Sequence, residues 1–207
     1  MEKMLEPSKF YHLYNHANGN ENLFRTDENY RFFLDKVLLY ISPIADIYAF
    51  CLMPNHFHFL LKTKPKEVFL TFPKFETLEK FSTKEEHYQL GKFISRQLGN
   101  LFSSYTQSFN KMYDRKGSLF IKNCKHKELK NEKYFNNIVH YIHANPVLHG
   151  FVKNIEDWKW SSYQSIISLK KSHLQRETVI TWFGDAKQYL TFHQKEIDRR
   201  LIAEFES

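Results

Sequence analysis

The chain is poor in cysteine, glycine, proline and long apolar runs, and each shortage excludes something. Two cysteines, Cys51 and Cys124, stand among 207 residues. Their spacing fits no metal or redox motif, which rules out a disulfide framework and points to a reducing compartment. No segment approaches the roughly eighteen uninterrupted apolar residues of a membrane span, and the opening MEKMLEPSKFYHLY has no apolar h-region. A cytoplasmic protein with no membrane partner is expected. The six glycines and six prolines are scattered, so there are no repeats and no low-complexity tracts. Aromatic residues and positive charge are plentiful instead. Twenty phenylalanines and twelve tyrosines exceed what one core of this size needs, leaving some rings to stack on a flat partner. A net charge of +7 and an isoelectric point near 9.2 suit a polyanion.

Hydrophobic periodicity gives an order of elements. KFYHLYNHANGN alternates as a first strand ending at an Asn-Gly turn. TDENYRFFLDKVLLYI opens on a cap and continues at helical spacing. ADIYAFCLM and HFHFLLKTK are strands joined by Pro54-Asn55, which makes a hairpin. Residues 65–86 lose the pattern and read as a loop or lid. The longest helix falls at residues 87–113, with Leu90, Phe93, Ile94, Leu98, Leu101, Phe102, Tyr105 and Phe109 as its apolar stripe. SLFIKNCKHKEL is extended, and NEKYFNNIVHYIHA is a helix stopped by Asn145-Pro146. Short helices packed by tryptophans follow. This order predicts an α+β fold: a ferredoxin-like antiparallel sheet with helices on one face. Residues 1–165 form the main domain, and 166–207 are a short helical C-terminal extension packed on it.

The chemistry centres on LMPNHFHFLLK. Side chains on a strand alternate faces, so His56 and His58 point away from the core face of Phe57, Phe59 and Leu61. Their imidazoles sit about 7 Å apart along the strand and can converge on one ion. Two hydrogen-bonded surface histidines would give the same pattern, so a third group is needed. On the later helix, Tyr141 and Asn145 are four residues apart and stack on one flank. A core-edge tyrosine and a helix-ending asparagine would read alike. Together, however, two imidazoles and an amide oxygen leave a divalent cation its charge and open positions, which fits Mg²⁺ or Mn²⁺. A phosphodiester polarised there could be attacked by the Tyr141 phenol.

The sequence resembles the HUH single-tyrosine transposases. Their His-hydrophobe-His is present as His56-Phe57-His58, and HYIHANPVLHGFV matches the segment bearing their nucleophilic tyrosine and metal-binding amide. RKGSLF and WKWSSY also resemble the family, and the Tyr-to-Asn-Pro segment resembles the REP-associated tyrosine transposases. The resemblance spans roughly residues 8 to 165, with the 65–86 insertion as a departure. It implies metal-dependent cleavage and rejoining of single-stranded DNA at hairpins or palindromic repeats, without ATP. Tyr141 would hold a 5′-phosphotyrosine, and His56, His58 and Asn145 would hold Mg²⁺ or Mn²⁺. His140 and His143 match no catalytic position of the family and are left as ordinary polar residues.

DNA contacts are expected from the basic stretch Lys111–Lys133, whose net charge is +5. It includes Lys111, Arg115, Lys116, Lys122, Lys125 and Lys127. Tyr113 and Phe120 are available to stack on bases, and Lys62, Lys64 and Lys66 extend the surface. Two other readings stand beside the transposase: a hairpin-binding module without cleavage, and a phosphodiesterase using activated water. A monomer and a homodimer are both open.

Overall fold

Four strands and seven helices follow from that periodicity in a computed structural model describing residues 4–73, 82–131, 134–197 and 205. Strand β1 (Phe10–His16) leads to α1 (Asp27–Tyr40), then to the hairpin β2 (Ala45–Leu52) and β3 (His56–Thr63). Helices α2 (Lys66–Leu70) and α3 (Thr83–Met112) precede β4 (Lys125–Leu129). Helix α4 (Phe135–Leu148) is followed by α5 (Tyr163–Ile167), α6 (Arg176–Phe183) and α7 (Ala186–His193). The sheet order is β2-β3-β1-β4 and every pairing is antiparallel. This is the expected α+β, ferredoxin-like arrangement.

Helix ends are fixed by local chemistry. The Asn29 side chain accepts from the Thr26 backbone N–H at 3.2 Å, closing the first turn of α1. Ser82 Oγ caps α3 by accepting from Glu85 N–H at 3.4 Å, with Glu85 and Glu86 in its first turn. Gly184, at φ +99°, lets the chain leave α6 through a conformation that side chains resist. Asp185 then caps α7.

One helix boundary corrects the expectation. Helix α4 runs through Asn145-Pro146 and ends at Leu148. Proline deletes only one donor, its own. The true stop is Gly150 at φ +72°: Gly150 N–H donates to Val147 O at 3.0 Å and Phe151 N–H to Pro146 O at 2.8 Å. That pair of bonds is a Schellman cap. Part of the 65–86 segment is helical, in α2 and the start of α3; residues 74–81 of the expected lid lie outside the described residues.

The sheet has two filled faces. On one, Tyr11, Leu13, Phe57, Phe59 and Leu61 meet α1 and the predicted stripe of α3. Phe120 belongs to this core, 4% exposed against Phe33, Phe57, Phe102 and Tyr105, so it is not a ring for stacking on bases. The other face is also covered, which an expectation of helices on one face alone did not include. There Tyr48, Cys51 and Leu60 pack against Ile138, Tyr141 and Ile142 of α4, with Tyr163, Val179 and Tyr189 behind. Helix α4 therefore lies between the sheet and the C-terminal helices and is buried at Phe135 and from Ile138 to Pro146. Among the described residues no helix is long and apolar enough to cross a membrane.

Candidate metal and nucleophile site

Register builds the site. In β1 and β3, His16 pairs with His56, Tyr14 with His58 and His12 with Leu60. Directly opposed residues share a face, so His12, Tyr14 and His16 stand beside His56 and His58. The rings confirm this: His16 stacks on His56 at 4.6 Å between centroids, and His12 on His58 at 5.1 Å. Helix α4 lays Tyr141 across them, 5.5 Å from His58 and 5.9 Å from His12, both edge-on. The structure thus brings the tyrosine helix onto the histidine pair.

Each imidazole is oriented through one nitrogen. His56 Nδ1 lies 2.8 Å from Asn55 Oδ1, so that nitrogen carries the proton. His58 Nδ1 lies 2.9 Å from His12 Nε2. Burial lowers the His56 pKa to about 3, helped by His16 and His149 and opposed by the nearby Asn145 amide. Burial also holds His58 well below the usual imidazole value. Both rings are neutral at pH 7, the form that ligates metals.

Asn145 is fully buried. Its Nδ2 donates to the Tyr141 carbonyl at 2.9 Å, one helical turn back, while its Oδ1 has no hydrogen-bond partner. A buried amide oxygen left unpaired costs about 1–3 kcal/mol unless something satisfies it. Two neutral imidazoles and an orphaned amide oxygen are the donor set expected for a hard or borderline divalent cation. The residues fit the group. Among the described residues no three His, Cys, Asp or Glu side chains are grouped as a metal site.

Tyr141 itself is enclosed. It is 0% exposed, with the Phe205 ring 5.3 Å away.

The basic residues divide. On β4, Lys125 pairs with Tyr14 and Lys127 with His12, which puts both lysines on the histidine face. Lys125 Nζ lies 5.8 Å from the Tyr14 ring centroid. Lys122 is exposed just after Ile121, whose N–H donates to His16 O at 2.9 Å. Lys111 and Lys116 are exposed at the far end of α3 and in the loop beyond. Arg115 is engaged within the chain: Nε meets Glu21 Oε1 at 3.1 Å, Nη1 donates to Asn110 Oδ1 at 2.9 Å, and Nη2 donates to Ser118 O at 2.9 Å. Lys64 pairs with Asp46 at 2.5 Å and Lys66 pairs with Glu86. Tyr113 donates to Asn29 Oδ1 at 2.8 Å and lies under the Arg25 guanidinium.

Sequence reasoning missed His12, His16 and His149, whose ring is 5.0 Å from that of His56. A signal existed for the first two. FYHLYNH carries His12, Tyr14 and His16 at the same period of two as His56 and His58. His140 is buried with its ring 5.0 Å from that of His193, and His143 is more than an ordinary polar position. His143 is fully buried, with Nδ1 2.9 Å from His193 Nε2 and Nε2 2.7 Å from Ser162 Oγ, tying α4 to α7 and the start of α5.

The fold that carries these residues has a likeness among solved structures. The chain is similar to a REP-associated tyrosine transposase bound to a REP hairpin, with a TM-score of 0.54 and 16% identity over 81% of this chain and 83% of the other. At that identity the likeness is one of fold. No protein-family model and no curated protein matches the chain.

Proposed function

We propose that the chain is a tyrosine DNA transposase or nickase that cleaves and rejoins single-stranded DNA at hairpins. The observation that carries this is the buried Asn145 Oδ1, which lacks a hydrogen-bond partner, one turn from Tyr141 and near the oriented His56 imidazole. A structural asparagine in a core would be satisfied; this one waits for a ligand. The fold of a transposase that binds a REP hairpin supports a hairpin partner.

The Tyr141 oxygen attacks the phosphorus, forming a phosphotyrosine on the 5′ side as the P–O3′ bond breaks. The phenolic proton leaves, and the departing O3′ gains one to become a 3′-OH. A second 3′-OH reverses the exchange, so no ATP is needed. His56, His58 and Asn145 would hold Mg²⁺ or Mn²⁺, which when bound supplies Lewis-acid polarisation of the scissile phosphate. Lys125 and Lys127 on β4, with Lys122 beside them, draw the backbone over the histidine face.

The test incubates the protein with Mn²⁺ or Mg²⁺ and labelled single-stranded hairpins from sequence flanking its own gene. A denaturation-resistant adduct is expected, absent in Tyr141→Phe and in His56→Ala. Cleavage without an adduct, surviving Tyr141→Phe, would indicate a water-using phosphodiesterase. The enclosure of Tyr141 by Phe205 favours one alternative, a hairpin-binding module that does not cut. Tight hairpin binding with neither adduct nor cleavage would establish it.

A further inference from the structure

Behind the proposed metal ligands stands an imidazole that the ligand set does not use. His12 is 0% exposed on β1, diagonal to His58 across the β1–β3 pair, with its Nε2 2.9 Å from His58 Nδ1. Only one of those two nitrogens can carry the proton between them. His12 Nδ1 is buried and lacks a hydrogen-bond partner, and the backbone carbonyl of Phe205 approaches this imidazole.

We propose that His12 is a positioning residue that fixes His58 as the Nδ1–H tautomer, so that His58 turns its Nε2 lone pair to the metal site. This rests on the proposed function and deepens it. His12 Nε2 accepts the His58 proton, so a neutral His12 bears its own proton on Nδ1. The hydrogen bond between the two imidazoles then sets the tautomers of both rings. Metal-binding histidines generally pass their second N–H to a carboxylate or a carbonyl. Here an imidazole takes that place, which adds no negative charge beside the ion and leaves the site's charge to the DNA. The His12 ring also meets the edge of Tyr141 at 5.9 Å, so one side chain braces ligand and nucleophile alike.

Two measurements on the full chain test this. Long-range ¹H–¹⁵N correlation spectra of the metal-free protein report the His58 tautomer directly; Nδ1–H is expected, and Nε2–H in the wild type overturns the proposal. Calorimetric titration with MnCl₂ then compares wild type, His12→Phe and His12→Gln. His12→Phe fills the volume but accepts nothing, and a loss of about 10–100-fold in Mn²⁺ affinity is expected. His12→Gln places an amide oxygen near the lost Nε2 and should return most of that loss, which a purely structural role would not predict. Equal Mn²⁺ affinity in His12→Phe and wild type overturns the proposal. Should His12→Phe fail to fold, His12→Gln and the wild-type spectra still decide it. A wild type that binds no Mn²⁺ would instead sink the proposed metal site, while the tautomer measurement still rules on His12.

Discussion

The two faces of the sheet are built from the same strands and do opposite work. On one face Phe57 and Phe59 alternate inward to meet α1 and α3, and polar groups among the rings are paired within the chain: the Asn15 amide donates to Ile121 O at 3.2 Å, the Thr63 hydroxyl to Glu6 O at 2.6 Å and the Tyr105 hydroxyl to Leu23 O at 2.5 Å. On the other, the intervening residues are His56 and His58, joined by His12, Tyr14 and His16, and α4 closes over them. Both faces are buried, so burial does not distinguish them. What distinguishes them is completeness: the first face is filled by rings and by polar groups paired within the chain, whereas the imidazole face holds an amide oxygen with no hydrogen-bond partner. A face that remains unsatisfied after folding is where a ligand gains the most.

Substitutions on the two faces should therefore fail differently. The largest effect is on chemistry: Tyr141→Phe should abolish the DNA adduct while leaving hairpin binding, measured by gel shift, close to wild type. Next comes stability on the apolar face. Phe57 is 0% exposed between Phe33, Phe59, Phe102 and Phe120, so Phe57→Ala should cost about 3–5 kcal/mol in denaturant titration. His58→Ala should cost less, about 1–3 kcal/mol, yet remove Mn²⁺ binding in calorimetry. Comparable stability losses from the two, with metal binding intact in His58→Ala, would erase the contrast.

Acid should undo the imidazole side selectively. Burial lowers the pKa of His12 and His56 to about 3, of His193 to about 3 and of His140 to about 4. These folded values lie below the unfolded imidazole value near 6.5, so the unfolded chain binds protons more readily in that window. Stability is complete above about pH 6.5 and is lost as pH falls toward about 3, by on the order of 1 kcal/mol per pH unit for each independent group. Thermal melts at pH 5 and pH 7.5 should show the drop, and His193→Gln, His140→Gln should flatten it. The smallest effects belong to the rim. Lys125→Ala and Lys127→Ala should each reduce the salt dependence of single-strand binding by about 0.7 in log–log slope. Arg115→Ala should instead lower stability by about 1–2 kcal/mol, because its fork is committed to Glu21, Asn110 and Ser118.

Much of this was legible from residue order. A period of two placed Phe57 and His58 on opposite faces, and a period of 3.6 stacked Tyr141 on Asn145. The hairpin followed from Pro54-Asn55. What stayed hidden was whatever depends on partners distant in sequence. Nothing local says that α4 is covered on both sides, because its partners lie fifty residues on at Tyr189 and His193. Phe120 reads as a free aromatic until its neighbours Phe33 and Phe57 are folded around it. Pro146 looks like a stop because its local bias is real, but burial from Ile138 to Pro146 and the Gly150 cap outweigh it. Arg115 sits in a basic stretch, yet its role is set by Glu21, ninety-four residues earlier in the chain.

The most direct measurement maps the covalent bond. Protein incubated with Mn²⁺ and a flanking-sequence hairpin is digested, and the nucleotide-bearing peptide is located by mass spectrometry. The nucleotide is expected on Tyr141, linked through its 5′ phosphate. A nucleotide on another residue, or cleaved DNA with no modified peptide, would contradict the central claim that this phenol is the nucleophile.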